Sequence, residues 1–402
     1  MKGCAKCQRL YEGDAGFCPI DGTPLKPIEE LPVPSDPDDR RIGQSLCAKR
    51  YQIRRKVADG GMGRVYQALD KQAQRNVAIK VLHAEVAEDS VAVERFKREY
   101  ALSAELPHHH IVEVLDFQRT EDKSYALAME YLEGEELRMF LKREKVLPAA
   151  RLIRVLSQLA IGLEEPHRRK LVHRDIKPDN IFLCHTADGP LAKLLDFGSV
   201  RDNTEGAKKL TVIGTTIGSP FYMSPEQAQG LPELDHRADV WSLAAIAYEA
   251  LTGSVPFGGQ TGPQILLAIL GREPDPPSVV GKHHNVPPTI DDVMADALAK
   301  DVSTRITTVG ELADRVGVAY GLEGTHRDWA YMPEQQLETL IEQRLPQMLA
   351  ARDQTPTVPR TDAFADEDFA MGVPQSSPRA LYISIGVISA LVILGAVALF
   401  LL

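Results

Sequence analysis

The densest chemistry in the chain lies in His173-Arg174-Asp175-Ile176-Lys177-Pro178-Asp179-Asn180, where an aspartate, a lysine and an asparagine share one short loop. Asp196-Phe197-Gly198 follows a strand-like Leu-Ala-Lys-Leu-Leu run. Phosphoryl transfer asks little covalent chemistry of a protein. It needs a group beside the attacking hydroxyl, oxygen ligands for Mg²⁺ and positive charge near the moving phosphoryl group, and these residues offer all three. Upstream, Ala58-Asp59-Gly60-Gly61-Met62-Gly63-Arg64-Val65 lies between two strand-like runs. Glycines there let a hairpin backbone approach phosphates and aim its N–H groups at them, although a glycine-rich hairpin alone is often only a turn. Val77-Ala78-Ile79-Lys80 sets a lysine among apolar neighbours, where its charge is costly unless an anion meets it or the stem carries it to water. The next segment offers Glu94 and Glu99 as carboxylates able to orient Lys80, or as solvated face residues.

The elements that must hold these groups divide into two kinds. From about Arg50, the runs YQIRRKV, RVYQALD, NVAIKVL, IVEVLDFQ and SYALAMEYL are short and β-branched or alternating, which predicts a small antiparallel sheet, with a helix over VAVERFKREYALSAEL. Beyond Glu135 the apolar residues recur at helical spacing, in ARLIRVLSQLAIGLEEPHR, DVWSLAAIAYEALTG, GPQILLAILG and TIDDVMADALAK. A strand-rich lobe therefore precedes a helix-rich lobe, with the border near Tyr131 to Glu135.

With these motifs in order, the chain resembles the eukaryotic-type (Hanks-type) protein kinases in their bacterial serine/threonine branch, over roughly residues 51–320, about two-thirds of the chain. The resemblance implies an α+β, two-lobed fold with ATP between the lobes. It makes Asp175 the catalytic base and gives Lys177 the transferring phosphoryl group. Asn180 and Asp196 become Mg²⁺ ligands, and Lys80, held by Glu99, pairs with the α- and β-phosphates. Ala58, Gly60, Gly61, Gly63, Val65 and Ala78 would then line the nucleotide site, and Met129, Glu130 and Leu132 the adenine hinge, with Met129 as gatekeeper. Lys177 points to serine or threonine as acceptor. Ser224-Pro225-Glu226 stands where the family has Ala-Pro-Glu, so Glu226 is expected to pair with Arg305, and Asp239 to brace the catalytic loop. Two departures are Ala58 for the first glycine of the loop and Gly218-Ser219 for the family's Gly-Thr. Arg174 could receive a phosphate on the activation segment, which makes Thr211, Thr215 and Thr216 autophosphorylation candidates.

Composition bounds the rest. The 402 residues carry a formal charge of -10 with no concentrated basic stripe, which excludes a nucleic-acid binder. Three of the five cysteines fall in the first twenty residues, which argues for a reducing compartment and one local metal site. Cys4, Cys7 and Cys18 with Asp21 resemble a degenerate zinc ribbon offering four ligands. His108, His109 and His110 are consecutive and cannot easily converge on one ion, so they read as structural. Ala380 to Leu402 lacks any charged residue and is long enough for one transmembrane helix. The expected organisation is a zinc-ribbon-like segment (1–27), a linker (28–50), the kinase domain (51–322), a juxtamembrane tether with one amphipathic helix (323–379) and the membrane helix (380–402). The kinase would face the cytoplasm from the inner membrane and act on protein substrates. A second copy could serve trans-autophosphorylation, and Gly386 and Ala390 have the spacing of helix-contact residues.

Overall fold

The computed structural model describes residues 2–350 except 8, 12–14, 32–35, 37, 197–200 and 203–219, and leaves out the side chains of Glu29, Arg95, Glu99, Arg201 and Asp202. Thr211, Thr215, Thr216, Ser219 and the 380–402 segment lie outside the described residues. Within those residues, no helix is long and apolar enough to cross a membrane.

At the N-terminus, β1 (Lys2–Gly3), β2 (Leu10–Tyr11) and β3 (Lys26–Pro27) form an antiparallel sheet in the order β2-β1-β3 beside the cysteine turns. The small lobe follows with β4 (Ser45–Leu46), β5 (Tyr51–Asp59), β6 (Gly63–Asp70), β7 (Arg75–Leu82), α1 (Ala84–Ala87), α2 (Ser90–Glu105), β8 (Val114–Arg119) and β9 (Tyr125–Glu130). Its strands make one six-stranded antiparallel sheet, β4-β5-β6-β7-β9-β8. The two-residue period of a strand explains the packing. Val77, Ile79 and Val81 of β7 join Tyr51, Ile53 and Tyr66 on one face. Leu82, two residues beyond Lys80, packs on the other face with Val93 and Phe96 of α2. Lys80 is thereby turned toward the face that α2 covers. The helix starts at Asp89, whose carboxylate accepts the Val91 N–H.

The expected linker 28–50 is only partly a linker. Leu31 is buried against Leu10 and Leu69, and Leu46 and Cys47 enter the sheet core. Asp39, 3% exposed, accepts the Tyr66 hydroxyl at 2.9 Å. The described residues of this segment fold down because the sheet supplies partners for their apolar and polar groups, which sequence composition does not record.

The large lobe contains β10 (Gly134–Glu136), α3 (Leu137–Glu144), α4 (Ala149–Arg168), β11 (Leu171–Val172), β12 (Ile181–Cys184), β13 (Leu191–Leu194) and β14 (Arg201–Asp202). Then come α5 (Pro225–Ala228), α6 (Arg237–Thr252), α7 (Gly262–Gly271), α8 (Pro277–Val280), α9 (Thr289–Ala297), α10 (Val309–Ala319), α11 (His326–Trp329) and α12 (Glu334–Ala350). Helix α6 is apolar almost all round, and α4 buries most of its length, polar Arg154, Ser157 and Gln158 included, in the middle of the lobe.

Residues 323–350 do not behave as a solvated tether. Trp329, 1% exposed, lies where a Cβ on Gly317 would strike its ring, and Leu337 and Ile341 of α12 enter the main core. Arg151 of α4 pairs with Glu334 at 2.7 Å. Burial pushes His110 down to about 4, so the ring is neutral at ordinary pH. Its Nδ1 lies 2.9 Å from the Ala192 carbonyl, which can only accept, so Nε2 accepts from the Tyr331 hydroxyl at 2.9 Å. The histidine thus ties the turn after α2 to the C-terminal extension.

Candidate active site

The loop between β11 and β12 carries the candidate catalytic residues, and its shape is imposed from below by Asp239. This buried carboxylate at the start of α6 accepts the His173 N–H and the Arg174 N–H, each at 2.9 Å, and meets His167 Nε2 at 2.8 Å. Burial alone would raise the Asp239 carboxyl. The His167 contact and the Arg174 N–H outweigh burial and hold the group below its ordinary value. Those bonds keep Arg174 in the left-handed region at φ 69°, a conformation that costs on the order of 1–3 kcal/mol for a non-glycine residue. Gln227 then donates to the Arg174 carbonyl at 2.7 Å. His167 was missed in the sequence, where its only signal is its position six residues before His173.

Beyond that brace, Lys177 Nζ lies 2.8 Å from Asp175 Oδ2. Asn180 donates to the Asp175 carbonyl at 2.8 Å and to Oδ2 at 3.2 Å. The β12–β13 hairpin pairs Ile181 with Leu194, and Leu195 N–H donates to the Asn180 carbonyl at 2.8 Å. Asp196 is the next residue, so the ladder brings it beside Asn180. Asp196 is also left-handed, at φ 58°, and its Oδ2 lies 3.3 Å from Lys80 Nζ. The donors gathered here are an amide oxygen and a carboxylate, the hard oxygen set that suits Mg²⁺.

The residues expected to line the nucleotide site fall on the sheet. Ala58 pairs with Val65, Val65 with Lys80 and Ala78 with Met129 across neighbouring strands. The hairpin closes with Gly60 N–H donating to the Gly63 carbonyl at 3.0 Å. A Cβ at Gly63 would collide with the Val81 carbonyl, whereas one at Gly61 meets nothing within 4 Å. Packing within the protein therefore demands glycine at 63 and leaves 60 and 61 to whatever approaches from outside. Gly63→Ala is expected to cost about 1–3 kcal/mol of stability through overpacking. Gly61→Ala should melt like the parent and weaken ATP binding about threefold to tenfold, about the worth of one hydrogen bond. Thermal melts and an ATP titration on both variants check the contrast.

Glu94 is exposed and pairs with Lys97 at 2.7 Å, so it does not orient Lys80. The Glu99 side chain lies outside the described residues. Glu130 turns its carboxylate to Lys193 at 2.6 Å and accepts the Glu113 N–H at 2.9 Å, while its own N–H donates to the Glu113 carbonyl at 2.9 Å. Met129 packs partly buried against the cluster that includes Leu82 and Phe96, and Leu132 is half-buried after β9. Glu226 and Arg305 form a bidentate pair at 2.8 and 3.0 Å.

A second cluster forms at the N-terminus. One ligand atom each from Cys4, Cys7, Cys18 and Asp21 lies within 4.8 Å of the others, and this is the metal-competent group found among the described residues. Cys7 Sγ and Cys18 Sγ are 3.7 Å apart, and Cys4 Sγ is 3.4 Å from Asp21 Oδ2. The Cys7 N–H points at Cys4 Sγ at 3.4 Å. Burial raises the Cys7 thiol to about 11. Cys18 is lowered: burial opposes ionisation, but the Tyr11 hydroxyl and the Ile20 and Asp21 N–H groups outweigh it.

A two-lobed fold with this catalytic loop, brace and lysine–aspartate pair defines a protein kinase. Residues 51–315 match the protein kinase domain family, and the chain belongs to it, as a domain of the bacterial serine/threonine type. The chain is 35% identical over 270 residues to the serine/threonine-protein kinase pkn3 of Myxococcus xanthus, covering 66% of this chain and 49% of pkn3. It is 31% identical over 347 residues to the serine/threonine-protein kinase PknH of Mycobacterium bovis, covering 86% of this chain and 55% of PknH. The chain thus spans about half the length of these relatives. The crystal structure of the Mycobacterium tuberculosis PknI kinase domain superposes with a TM-score of 0.52 at 26% identity, covering 67% of this chain and 96% of that one.

Proposed function

We propose that the chain is a serine/threonine protein kinase that moves the γ-phosphoryl group of Mg-ATP onto protein hydroxyls. The observation that carries this reading is the loop in which Asp175, Lys177 and Asn180 contact one another, set against a Lys80–Asp196 pair at 3.3 Å. Asp175 orients the acceptor hydroxyl and takes its proton. Lys177, 2.8 Å away, offsets charge on the moving group. Lys80 holds the phosphates from the sheet side, and Asn180 and Asp196 supply oxygen ligands for Mg²⁺, which when bound neutralises phosphate charge. The serine/threonine preference draws on Lys177 and on the names of the relatives.

The finer features belong to the same proposal. Thr211, Thr215 or Thr216 is autophosphorylated, with a second copy as the first substrate. The charge-free stretch Ala380 to Leu402 anchors the chain in the inner membrane with the kinase on the cytoplasmic side. Cys4, Cys7, Cys18 and Asp21 take zinc. A tetrahedron with Zn–S near 2.3 Å and Zn–O near 2.1 Å has S–S edges of about 3.8 Å and S–O edges of about 3.6 Å, close to the 3.7 and 3.4 Å separations found. The test is label transfer from ATP to a generic basic protein by the full chain, followed by phosphoamino-acid analysis. Phosphoserine or phosphothreonine that vanishes in Lys80→Met is expected; label on tyrosine, or none from a chain that binds Mg-ATP, overturns the reading.

A further inference from the structure

The cysteine knuckle grips the kinase lobe at one defined place. Leu10 of β2 is 1% exposed and packs with Leu31 and with Leu69 of β6. Its carbonyl accepts from Asn76 Nδ2 of β7 at 3.4 Å. Leu69 and Asn76 face each other across the β6–β7 ladder, directly beside the turn that joins the two strands. Both are buried, at 5% and 7% exposed, and the knuckle covers them. The same hairpin carries Gly63 and Lys80 toward its other end, paired with Leu82 and Val65. The knuckle therefore holds the base of the element whose tip and middle meet the nucleotide.

The knuckle cannot maintain that grip through its own core. Among the described residues up to Leu31, the buried apolar side chains are Cys4, Leu10, Cys18 and Leu31, and two of these are proposed ligands. A segment of this size needs a metal or another staple to hold a fold. Leu10 lies three residues after Cys7, on a strand paired with β1, which ends one residue before Cys4. Closing the ligand cluster thus fixes the strand that presents Leu10.

We propose that a zinc-class ion bound by Cys4, Cys7, Cys18 and Asp21 clamps the knuckle onto Leu69 and Asn76, making metal loading an input to the nucleotide-binding lobe. This rests on the zinc reading of the cluster. Ion loss releases β2, bares the base of the β6–β7 hairpin and loosens the strand that carries Lys80.

The experiment uses the full chain, reduced and purified in detergent, with metal removed by a chelator and restored as Zn²⁺ or as the spectroscopic probe Co²⁺. Metal binding is read from the thiolate-to-cobalt absorption. Clamping is read from amide hydrogen exchange over residues 66–77. The expected result is one ion per chain and about tenfold slower exchange in that hairpin when loaded. Cys18→Ser should abolish both signals. Leu69→Ser, which touches no ligand, should keep the cobalt spectrum and lose the metal-dependent protection. A cobalt spectrum with no change in hairpin exchange overturns the clamp and leaves the zinc site standing. Absence of metal binding by the reduced thiols overturns the zinc reading and the clamp together.

Discussion

Asp175→Asn is expected to lower kcat for phosphoryl transfer by about 10²- to 10⁴-fold, the usual worth of a positioned general base, with the ATP KM within about threefold of the parent. The substitution is nearly isosteric. Asn can still accept the Lys177 contact at 2.8 Å, and the Asp175 carbonyl that takes the Asn180 amide at 2.8 Å is unchanged. The Asp239 brace acts on His173 and Arg174 and does not involve the altered side chain. What disappears is the group proposed to accept the hydroxyl proton. Steady-state kinetics beside a thermal melt separate a catalytic role for Asp175 from a structural one. A variant that melts like the parent and turns over within tenfold of it removes Asp175 from the catalytic role.

Arg305→Met should cost about 3–5 kcal/mol of stability, because it leaves a buried carboxylate without its partner. Arg305 has a side chain 0% exposed and Glu226 8%, and the pair is bidentate at 2.8 and 3.0 Å. Arg305 also donates to the carbonyls of Arg237 and Ala299 at 2.9 and 3.1 Å, so α5, α6 and the loop after α9 lose a tie at once. At about 2–4 °C per kcal/mol for a domain of this class, the melting temperature falls by about 6–20 °C. Adding Glu226→Gln should recover part of the loss, since the stranded charge goes with it. A double variant as unstable as Arg305→Met alone would mean that the cost lies in the two carbonyl bonds. Activity should fall too: Glu226 precedes Gln227, whose amide fixes the Arg174 carbonyl at 2.7 Å.

Much of the kinase lobe was legible because its signals are local. The β-branched alternation of YQIRRKV and NVAIKVL became β5 and β7, and the helical spacing of ARLIRVLSQLAIGLEEPHR became α4. The spacing of Asp175, Lys177 and Asn180 within one loop brought them into mutual contact. The resemblance assigned Glu99 to Lys80, but spacing alone could not choose between Glu94 and Glu99, since both sit on one helix and only its docking angle decides which faces the sheet. Glu94 proves to be 68% exposed in its side chain, paired with Lys97. The carboxylate of Glu130 likewise goes to Lys193, a residue 63 positions away. Pairing at that range carries no local pattern.

The chain's own order of residues determined the class of chemistry, the two-lobed division and most of the groups proposed to meet ATP, because phosphate loops, strands and catalytic loops are each written within a few consecutive positions. Tertiary structure alone decided that residues 39–47 complete the sheet, that Trp329 and α12 bind the back of the large lobe, and that the cysteine knuckle seats Leu10 on Leu69. Each of these depends on surfaces that meet only after folding. Segments read as linker and tether were polar enough to look solvated, and the partners that satisfy their polar groups lie far away in sequence.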